Sequence, residues 1–451
     1  MLKMGCAKVD TTPDFPVYLR GYGFRNRKTS VVADRLETGV IALEQNGKTV
    51  LFITADIEGI HINYCQAISE RIKKEFGIGF PDLFISSSHT HFSPGFSAYA
   101  VTVSGGELPL EMYPPDEDYL EFWYSRTREA VRQALDDLEA VTIESAAIPV
   151  PGIAFNRRTI RKSDGMVETN YTIPENPDNY HFTPIDPEFT VWRFRQGERL
   201  KAIIGRYGCH PVAGTDKFYE ISSDYPGAFQ RAVQREYGCP GFFLLGTAGD
   251  VVPMNRSVQT RRDMGEILSR MIHLNDLQFR PEPDLPVIAS SFTVRGTLKR
   301  LAETDDLEGY WQQALKEARR TAVAGKAPGE DTSYLNLREA EYRYLIAKRF
   351  QSKEFDIPIQ LLQLGKKVLV CLPFEILTDF GQKLREACPE ALIVSLTGGY
   401  EDYLPLAADF EKGGYETESE ANFLPDTGDR ILAECIRRIR NFSDSSKIIE
   451  K

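Results

Sequence analysis

Residues 83–95 read Leu-Phe-Ile-Ser-Ser-Ser-His-Thr-His-Phe-Ser-Pro-Gly, and the rest of the chain is best interpreted outward from them. An apolar run passes into serines, two histidines and a Pro-Gly turn, which is typical of a buried strand ending in a polar loop. His89 and His91 are two residues apart, so in extended backbone both imidazoles point to the same side. Neutral imidazole is the commonest metal ligand. The pair alone is a weak signal, because polar loop histidines give the same pattern.

The segments before this stretch indicate a parallel βαβ unit. An apolar strand is predicted at 49–57, helical spacing covers 62–76, and the histidine strand follows. Asp56 and His89 would then lie at the carboxyl ends of neighbouring strands, in one crevice. A helix N-cap explains Asp56 equally well.

The remaining periodicity predicts an α/β fold with a large mixed sheet core, flanking helices and long loops. Residues 1–442 are predicted as one domain with a helical insertion at 300–352, followed by a polar tail at 443–451. The last helix is predicted at 427–441. Residues 96–115 are predicted as a loop near the site, and residues 151–188 as a long excursion from the core.

Composition excludes several classes of protein. The chain has 451 residues and a net charge of -11, which gives no basic surface for nucleic acid. No apolar run is long enough for membrane insertion, and the N-terminus lacks the apolar core of a signal peptide. The seven cysteines are scattered without a CxxC pair. We therefore expect reduced thiols and a cytoplasmic location.

Two more polar residues follow apolar strands. His210 comes after the strand predicted at 200–207, and Glu375 comes after the strand predicted at 367–372. Strand ends of one sheet can converge, and two nitrogens with one carboxylate suit a catalytic zinc that keeps an open position. Helix capping explains Glu375 alone equally well. Spacing does not choose among these ligands.

A series of short motifs runs in order through residues 5–416, and their combination resembles the catalytic domain of the neutral (non-lysosomal) ceramidase family. The motifs are Gly5-Cys6-Ala7-Lys8-Val9-Asp10-Thr11-Thr12-Pro13, Thr54-Ala55-Asp56, Ser87-Ser88-His89-Thr90-His91, Asn156-Arg157, Gly249-Asp250-Val251 with Pro253, Leu372-Pro373-x-Glu375, and Tyr403 with Tyr415-Glu416.

This resemblance implies a fold, a metal and a set of site residues. It implies a neutral-ceramidase-like catalytic domain that holds one Zn²⁺ per chain, and catalytic residues around a small-molecule substrate. The separation from Tyr415 favours Tyr403 over Tyr400 as the phenol ligand, and Tyr400 is interpreted as a packed tyrosine. The implied zinc ligands are His89, His210, Glu375 and Tyr403, and the implied catalytic residues are His91, Arg157 and Tyr415.

The chain departs from the family pattern at the predicted substrate-binding residues Phe92, Asp250 and Val252. Val252 replaces a serine of the family's Gly-Asp-Val-Ser-Pro loop, which begins here at Gly249-Asp250. Phe92 follows the histidine pair where the family has serine. We also expect no carboxy-terminal immunoglobulin-like domain. These departures favour a substrate other than ceramide.

Three functional hypotheses follow. The first is a zinc-dependent hydrolase in which metal-activated water attacks an amide of a small polar, non-lipid substrate, with His91 as the base. The second keeps the same site but cleaves sugar-derived, lactone or ester substrates. The third is a non-catalytic binding protein that retains the fold.

Overall fold

The computed structural model describes residues 1–22, 25, 27–96, 99–100, 112–113, 116–215, 217–284, 286–299, 306, 309, 312, 313, 316 and 352–449. The predicted loop at 96–115 and the predicted helical insertion at 300–352 lie largely outside these residues. The single-domain prediction for residues 1–442 stays a prediction.

Three mixed sheets form the core, and each contains the same order of elements: an antiparallel strand pair, a helix, and a strand parallel to the second member of the pair. The first sheet has the spatial order Leu83–Ser87, Lys48–Ala55, Glu37–Gln45, Lys3–Asp10, Glu139–Ala140. The second has the order Gly241–Leu245, Arg199–Tyr207, Glu188–Gln196, Thr142–Pro149, Arg280–Pro281. The third has the order Ile288–Thr297, Glu354–Leu364, Lys367–Cys371, Ala391–Val394.

The connecting helices follow from apolar spacing and from identifiable ends. Ile62–Phe76 buries Cys65, Ile68 and Ile72, which recur at the three- and four-residue spacing of one helix face. It ends at Gly77, whose φ of 74° is left-handed and costs glycine little. The predicted βαβ unit is therefore confirmed.

Apolar residues from all three sheets share one core cluster. Phe52 and Phe84 of the first sheet stack with ring centroids 5.5 Å apart. Trp192 and Phe242 of the second sheet and Leu369 of the third belong to the same cluster. Burying each such side chain contributes about 1.5–3 kcal/mol, so this shared core fixes how the sheets meet.

The predicted α/β class with mixed sheets is confirmed, although the core strands are divided among three sheets. The excursion at 151–188 is not simply loop, because short strands form within it. The remaining short strands are Val17–Tyr18, Lys28–Thr29, Tyr99–Ala100, Met112–Tyr113, Ala154–Asn156, Arg158–Arg161, Val167–Thr169, Tyr180–His181, Val251–Pro253, Glu375–Ile376 and Tyr403–Leu404.

Eight α-helices lie within the described residues, and none of them combines the length and apolar character that a membrane span requires. The last helix runs beyond its predicted end at 441 and includes most of the predicted polar tail, because no glycine or proline interrupts it after Gly428. The α-helices are Ile62–Phe76, Glu117–Asp136, Asp224–Tyr237, Val258–Leu274, Thr378–Ala387, Ala407–Lys412, Tyr415–Glu418 and Asp426–Ile449, with 3₁₀ turns at Pro177–Asn179 and Asp276–Gln278.

Candidate metal centre

The three sheets meet at the carboxyl ends of their parallel strands. Ser395, after the last strand of the third sheet, donates its N–H to Leu245 O of the second sheet at 2.8 Å. Ser87 of the first sheet donates its N–H to Leu396 O at 3.1 Å. Polar residues that follow these strands are therefore brought to one place, as strand ends in α/β proteins commonly are.

The four predicted ligands converge there. Glu375 Oε1 lies 3.3 Å from His89 Nε2, and Glu375 Oε2 lies 2.7 Å from His210 Nε2. Tyr403 Oη lies 3.3 Å from His210 Nε2. All four residues are buried. The structure thus brings together the four residues for which the resemblance implied zinc coordination.

The far side of each histidine ring fixes its orientation. His89 Nδ1 lies 2.7 Å from Glu58 O, and His210 Nδ1 is hydrogen-bonded to Ala248 O. A carbonyl oxygen only accepts, so each Nδ1 carries a proton, and each ring in its neutral form presents the Nε2 lone pair to the centre. Hydrogen bonds of this kind are the usual support of metal-ligating histidines.

The charges of the centre are mutually dependent. Burial would raise the pKa of Glu375, but His89 and His210 hold it well below its usual value. Burial would lower the pKa of His89, yet Glu375 raises it to about 9. Burial and the nearby charge of Arg157 lower the pKa of His210 to about 4. Without a cation, the carboxylate therefore shares a proton with His89, and a metal ion would replace that proton.

One contact in particular fits a cation. Glu375 Oε2 is buried and has no hydrogen-bond partner, although His210 Nε2 is only 2.7 Å away. With its Nδ1 protonated and its pKa low, neutral His210 presents a lone pair to a carboxylate oxygen, so two acceptors face each other. Buried acceptors without a donor are costly, and a divalent ion bound by Glu375 and His210 would remove that cost. The residues present therefore fit a metal with nitrogen and oxygen ligands.

His91 lies beside this centre. Its Nε2 is 3.2 Å from His89 Nε2, and the ring nitrogens of His89, His91 and His210 lie within 4.8 Å of one another. This three-histidine cluster is compatible with a metal ion. His91 Nδ1, however, is buried and has no hydrogen-bond partner in the described part of the chain. A metal ligand usually donates from that nitrogen, so the contrast favours the predicted non-ligand role.

The backbone of Gly21 makes room for His91. Gly21 has a φ of +89°, and a Cβ atom there would lie 2.3 Å from the imidazole ring. Only glycine combines this left-handed conformation with so close an approach. Burial, together with the charges of His89 and His210, lowers the pKa of His91 well below its usual value. The His91 ring is therefore held neutral.

Arg157 contacts the opposite side of the centre. Its Nη2 donates to Tyr403 Oη at 2.8 Å, and its Nε donates to Glu416 Oε1 at 2.7 Å. Burial opposes its charge, but Tyr403 and Glu416 raise its pKa well above the usual value. Tyr415 is half-buried, with its ring centroid 6.0 Å from that of Tyr403. The predicted residues Arg157 and Tyr415 therefore lie next to the predicted phenol ligand.

A cavity of about 790 Å³ opens above these residues. Of the predicted site residues, His91, Arg157, Glu375, Tyr403 and Tyr415 line it, whereas His89 and His210 lie beneath the lining. We call these seven residues, with Tyr400 and Glu58, the floor of the cavity. The rest of the lining includes Tyr171, Ile173, Met254, Asn255 and Arg256, which we call the wall.

The predicted substrate-binding residues lie behind the lining. Asp250 accepts hydrogen bonds from Asn156 Nδ2 at 2.7 Å and from Thr378 N and Oγ1 at 2.9 and 2.8 Å. Val252 is fully buried in an apolar cluster. Phe92 is fully buried under Tyr22. Their roles as substrate contacts stay predictions.

The sequence analysis gave no role at the site to two floor residues. Tyr400 was interpreted as packed, and its Oη donates to the predicted ligand Glu375 Oε1 at 2.9 Å. Glu58 supplies the carbonyl for His89, and burial raises the pKa of its carboxyl group to about 7. Each lies a few residues after a strand of a parallel pair, the same signal that identified His89 and Glu375.

Comparisons with known proteins agree with this architecture. The neutral ceramidase from Pseudomonas aeruginosa gives a TM-score of 0.68 at 15% identity, with 96% of this chain and 73% of that chain covered. A ceramidase complexed with C2 gives a TM-score of 0.70 at 14% identity, with 96% and 74% covered. No protein-family model and no curated protein matches the chain. The chain therefore has a neutral-ceramidase-like fold.

Proposed function

We propose that this chain is a zinc-dependent hydrolase that cleaves an amide or related carbonyl bond of a small polar, non-lipid substrate. The observation that carries the proposal is the convergence of His89, His210, Glu375 and Tyr403 at the base of a cavity, with a neutral histidine beside them. The similarity in fold to two structures described as ceramidases supports the choice of an amide.

His89, His210, Glu375 and Tyr403 would hold the metal. Two nitrogens and two oxygens are a donor set that suits zinc. When bound, zinc would supply polarisation of the substrate carbonyl and would lower the pKa of a water molecule towards neutrality. The backbone carbonyls of Glu58 and Ala248 keep the two rings turned towards the ion.

His91 would move the proton. Its Nε2 faces the centre, and its lowered pKa keeps the ring available as a base. The water oxygen would bond to the carbonyl carbon as His91 takes a water proton. The carbon–nitrogen bond would then break, and His91 would return the proton to the leaving nitrogen, so that acid and amine are the products.

Arg157 and Tyr415 would stabilise the carbonyl oxygen as it gains negative charge. Both line the cavity next to Tyr403. Arg157 is already oriented by its ion pair with Glu416, so it needs little rearrangement during the reaction.

Metal analysis with a substrate panel tests the proposal. Purified protein should contain about one zinc ion per chain and lose turnover with the metal when a chelator is added. Amides, esters and lactones of small polar acids should be assayed together, with hydrolysis of an amide expected. Absence of bound metal after reconstitution, or hydrolysis of none of the panel by the zinc-loaded protein, would contradict it.

A further inference from the structure

The arginine of the cavity wall, Arg256, differs from Arg157 on the floor. Arg256 lies between the strand Val251–Pro253 and the helix Val258–Leu274, and it lines the cavity beside Met254 and Asn255. It is half-buried, and its Nε atom is buried without a hydrogen-bond partner. Among the described residues it forms no side-chain hydrogen bond and no ion pair.

Arg157 provides the internal comparison. Both guanidinium groups lie near the ring of Tyr171, with Cζ to centroid distances of 5.4 Å for Arg157 and 5.9 Å for Arg256. Arg157 forms an ion pair with Glu416 at 2.7 Å, a carboxylate that it shares with Arg158. Arg256 has no such carboxylate, although Glu420 also lines the cavity. The wall therefore contains a cation whose charge the described part of the protein does not compensate.

The chemistry of this cation indicates its ligand. Withdrawing a charge from water is unfavourable unless a partner compensates it, and burial lowers the pKa of Arg256 accordingly. A guanidinium group presents paired N–H donors that match the two oxygens of a carboxylate or phosphate. A substrate oxyanion would supply the missing partner.

The surrounding wall suits the remainder of such a substrate. Tyr171 and Ile173 line the cavity, yet they remain 43% and 39% exposed, and Met254 also lines it. These side chains can bury a short carbon skeleton between the floor and Arg256.

We propose that the substrate carries an oxyanion, a carboxylate or phosphate group, which Arg256 binds while the reacting carbonyl group lies on the floor. This inference rests on the proposed hydrolase function and narrows its substrate class to anionic amides. Arg256 would be a specificity-determining residue, and removing it should affect anionic substrates only.

Matched ligand pairs test this inference by equilibrium binding, for example by isothermal titration calorimetry. N-hexanoylglycine has a carboxylate where N-hexanoylglycinamide has a neutral carboxamide of similar size, and the phosphate ester of N-hexanoylethanolamine and its parent alcohol form the second pair. The zinc-loaded protein should bind an anionic member more tightly than its neutral partner. Arg256→Gln should weaken binding of that anion by about 10- to 100-fold, the effect of losing a charge-assisted hydrogen bond, and leave the neutral partner unchanged.

Arg262→Gln is the control, because Arg262 is exposed on the helix Val258–Leu274 that follows Arg256 and does not line the cavity. It should preserve the preference for the anion, and Arg256→Lys should retain part of it because the charge remains. Equal binding within both pairs by the unmodified protein, or equal weakening of both members in Arg256→Gln, would overturn the inference.

Turnover of the same compounds separates this inference from the proposed function. Hydrolysis of neutral amides with no dependence on Arg256 would leave the hydrolase standing and remove the anion site. Arg256-dependent binding of anions that are never hydrolysed would leave the anion site standing and remove the hydrolase function.

Discussion

The floor and the wall of the cavity are held in different ways. On the floor, His89 and His210 are buried and bonded to backbone carbonyls, and Glu375 accepts from Tyr400. On the wall, Tyr171 is substantially exposed and Arg256 has no ion-pair partner among the described residues. Supported groups keep their geometry before a ligand arrives, whereas unsupported groups depend on the ligand. The difference teaches that the floor is rigid enough for the reaction we propose, whereas the wall has the unsatisfied groups that our proposed substrate would meet.

The floor residues occupy equivalent strand-end positions in the three sheets. His89 follows the helix-connected strand of the first sheet, His210 follows the second strand of the pair in the second sheet, and Glu375 occupies the corresponding position in the third. The backbone at His89 has a φ of 67°, a left-handed conformation that costs a non-glycine residue on the order of 1–3 kcal/mol. Such a conformation on the floor is consistent with a site selected for function.

Removing a ligand should have the largest effect. His210→Ala and Glu375→Ala should each weaken zinc binding by more than the roughly 10- to 100-fold that follows loss of an outer partner, and turnover should fall with metal content. Elemental analysis after dialysis, with turnover on the same samples, measures both. His273→Ala is the matched control, because His273 is exposed on the helix Val258–Leu274. Full zinc content in either floor variant would contradict its assignment as a ligand.

Removing the base should separate metal binding from turnover. His91→Ala should keep zinc and lower turnover by about 10²- to 10⁴-fold, because general base catalysis by a positioned side chain contributes that much. Zinc content and single-turnover rates on one preparation provide the measurement.

The opposite pattern would change the role of His91. If His91→Ala loses zinc as His210→Ala does, the three-histidine cluster is the ligand set, and the contrast drawn from the unpartnered Nδ1 atom fails.

The sequence was sufficient to predict that the polar residues directly after strand ends would lie close together. His89, His210 and Glu375 each come after an apolar run, and strand periodicity is a local signal. Tyr400 was interpreted as packed because its hydrogen bond to Glu375 depends on the pairing of the strands that precede the two residues, which the local sequence does not reveal. The division into three sheets escaped for the same reason, since it depends on which apolar faces share a core.

The wall was harder to predict from sequence than the floor. The prediction that Phe92 and Val252 contact substrate rests on their positions in family motifs and stays a prediction, because motif position does not determine which way a side chain points. Arg256 gave no signal, because an arginine before a helix is ordinary, and its lack of a partner is visible only in the fold.

Loosening the support of the floor should have an intermediate effect. Tyr400→Phe removes the 2.9 Å hydrogen bond to Glu375 and should weaken zinc binding by about 10- to 100-fold, the usual consequence of losing an outer partner. Competition with a zinc chelator of known affinity measures it. Tyr119→Phe is the control, because this equally buried hydroxyl donates to Thr11 O at 3.1 Å and lies outside the site. Equal zinc affinity in the two variants would show that Tyr400 is only packed.

The smallest effect on activity is expected behind the wall. Val252→Ser restores the residue that the ceramidase pattern has there, but Val252 is buried against Phe155 and Val212. A hydroxyl in that cluster would lack a partner, and apolar contacts would be lost, so the free energy of unfolding should fall by about 1–3 kcal/mol while turnover and KM stay unchanged. Denaturant unfolding and steady-state kinetics on the same protein provide the two measurements.

Val252→Ala, which loses apolar contacts without adding a hydroxyl, is the matched control and should be the less destabilised of the two. If the serine variant instead gains turnover or changes its preference among amides, residue 252 acts on the substrate, and it must be counted among the residues that choose the substrate.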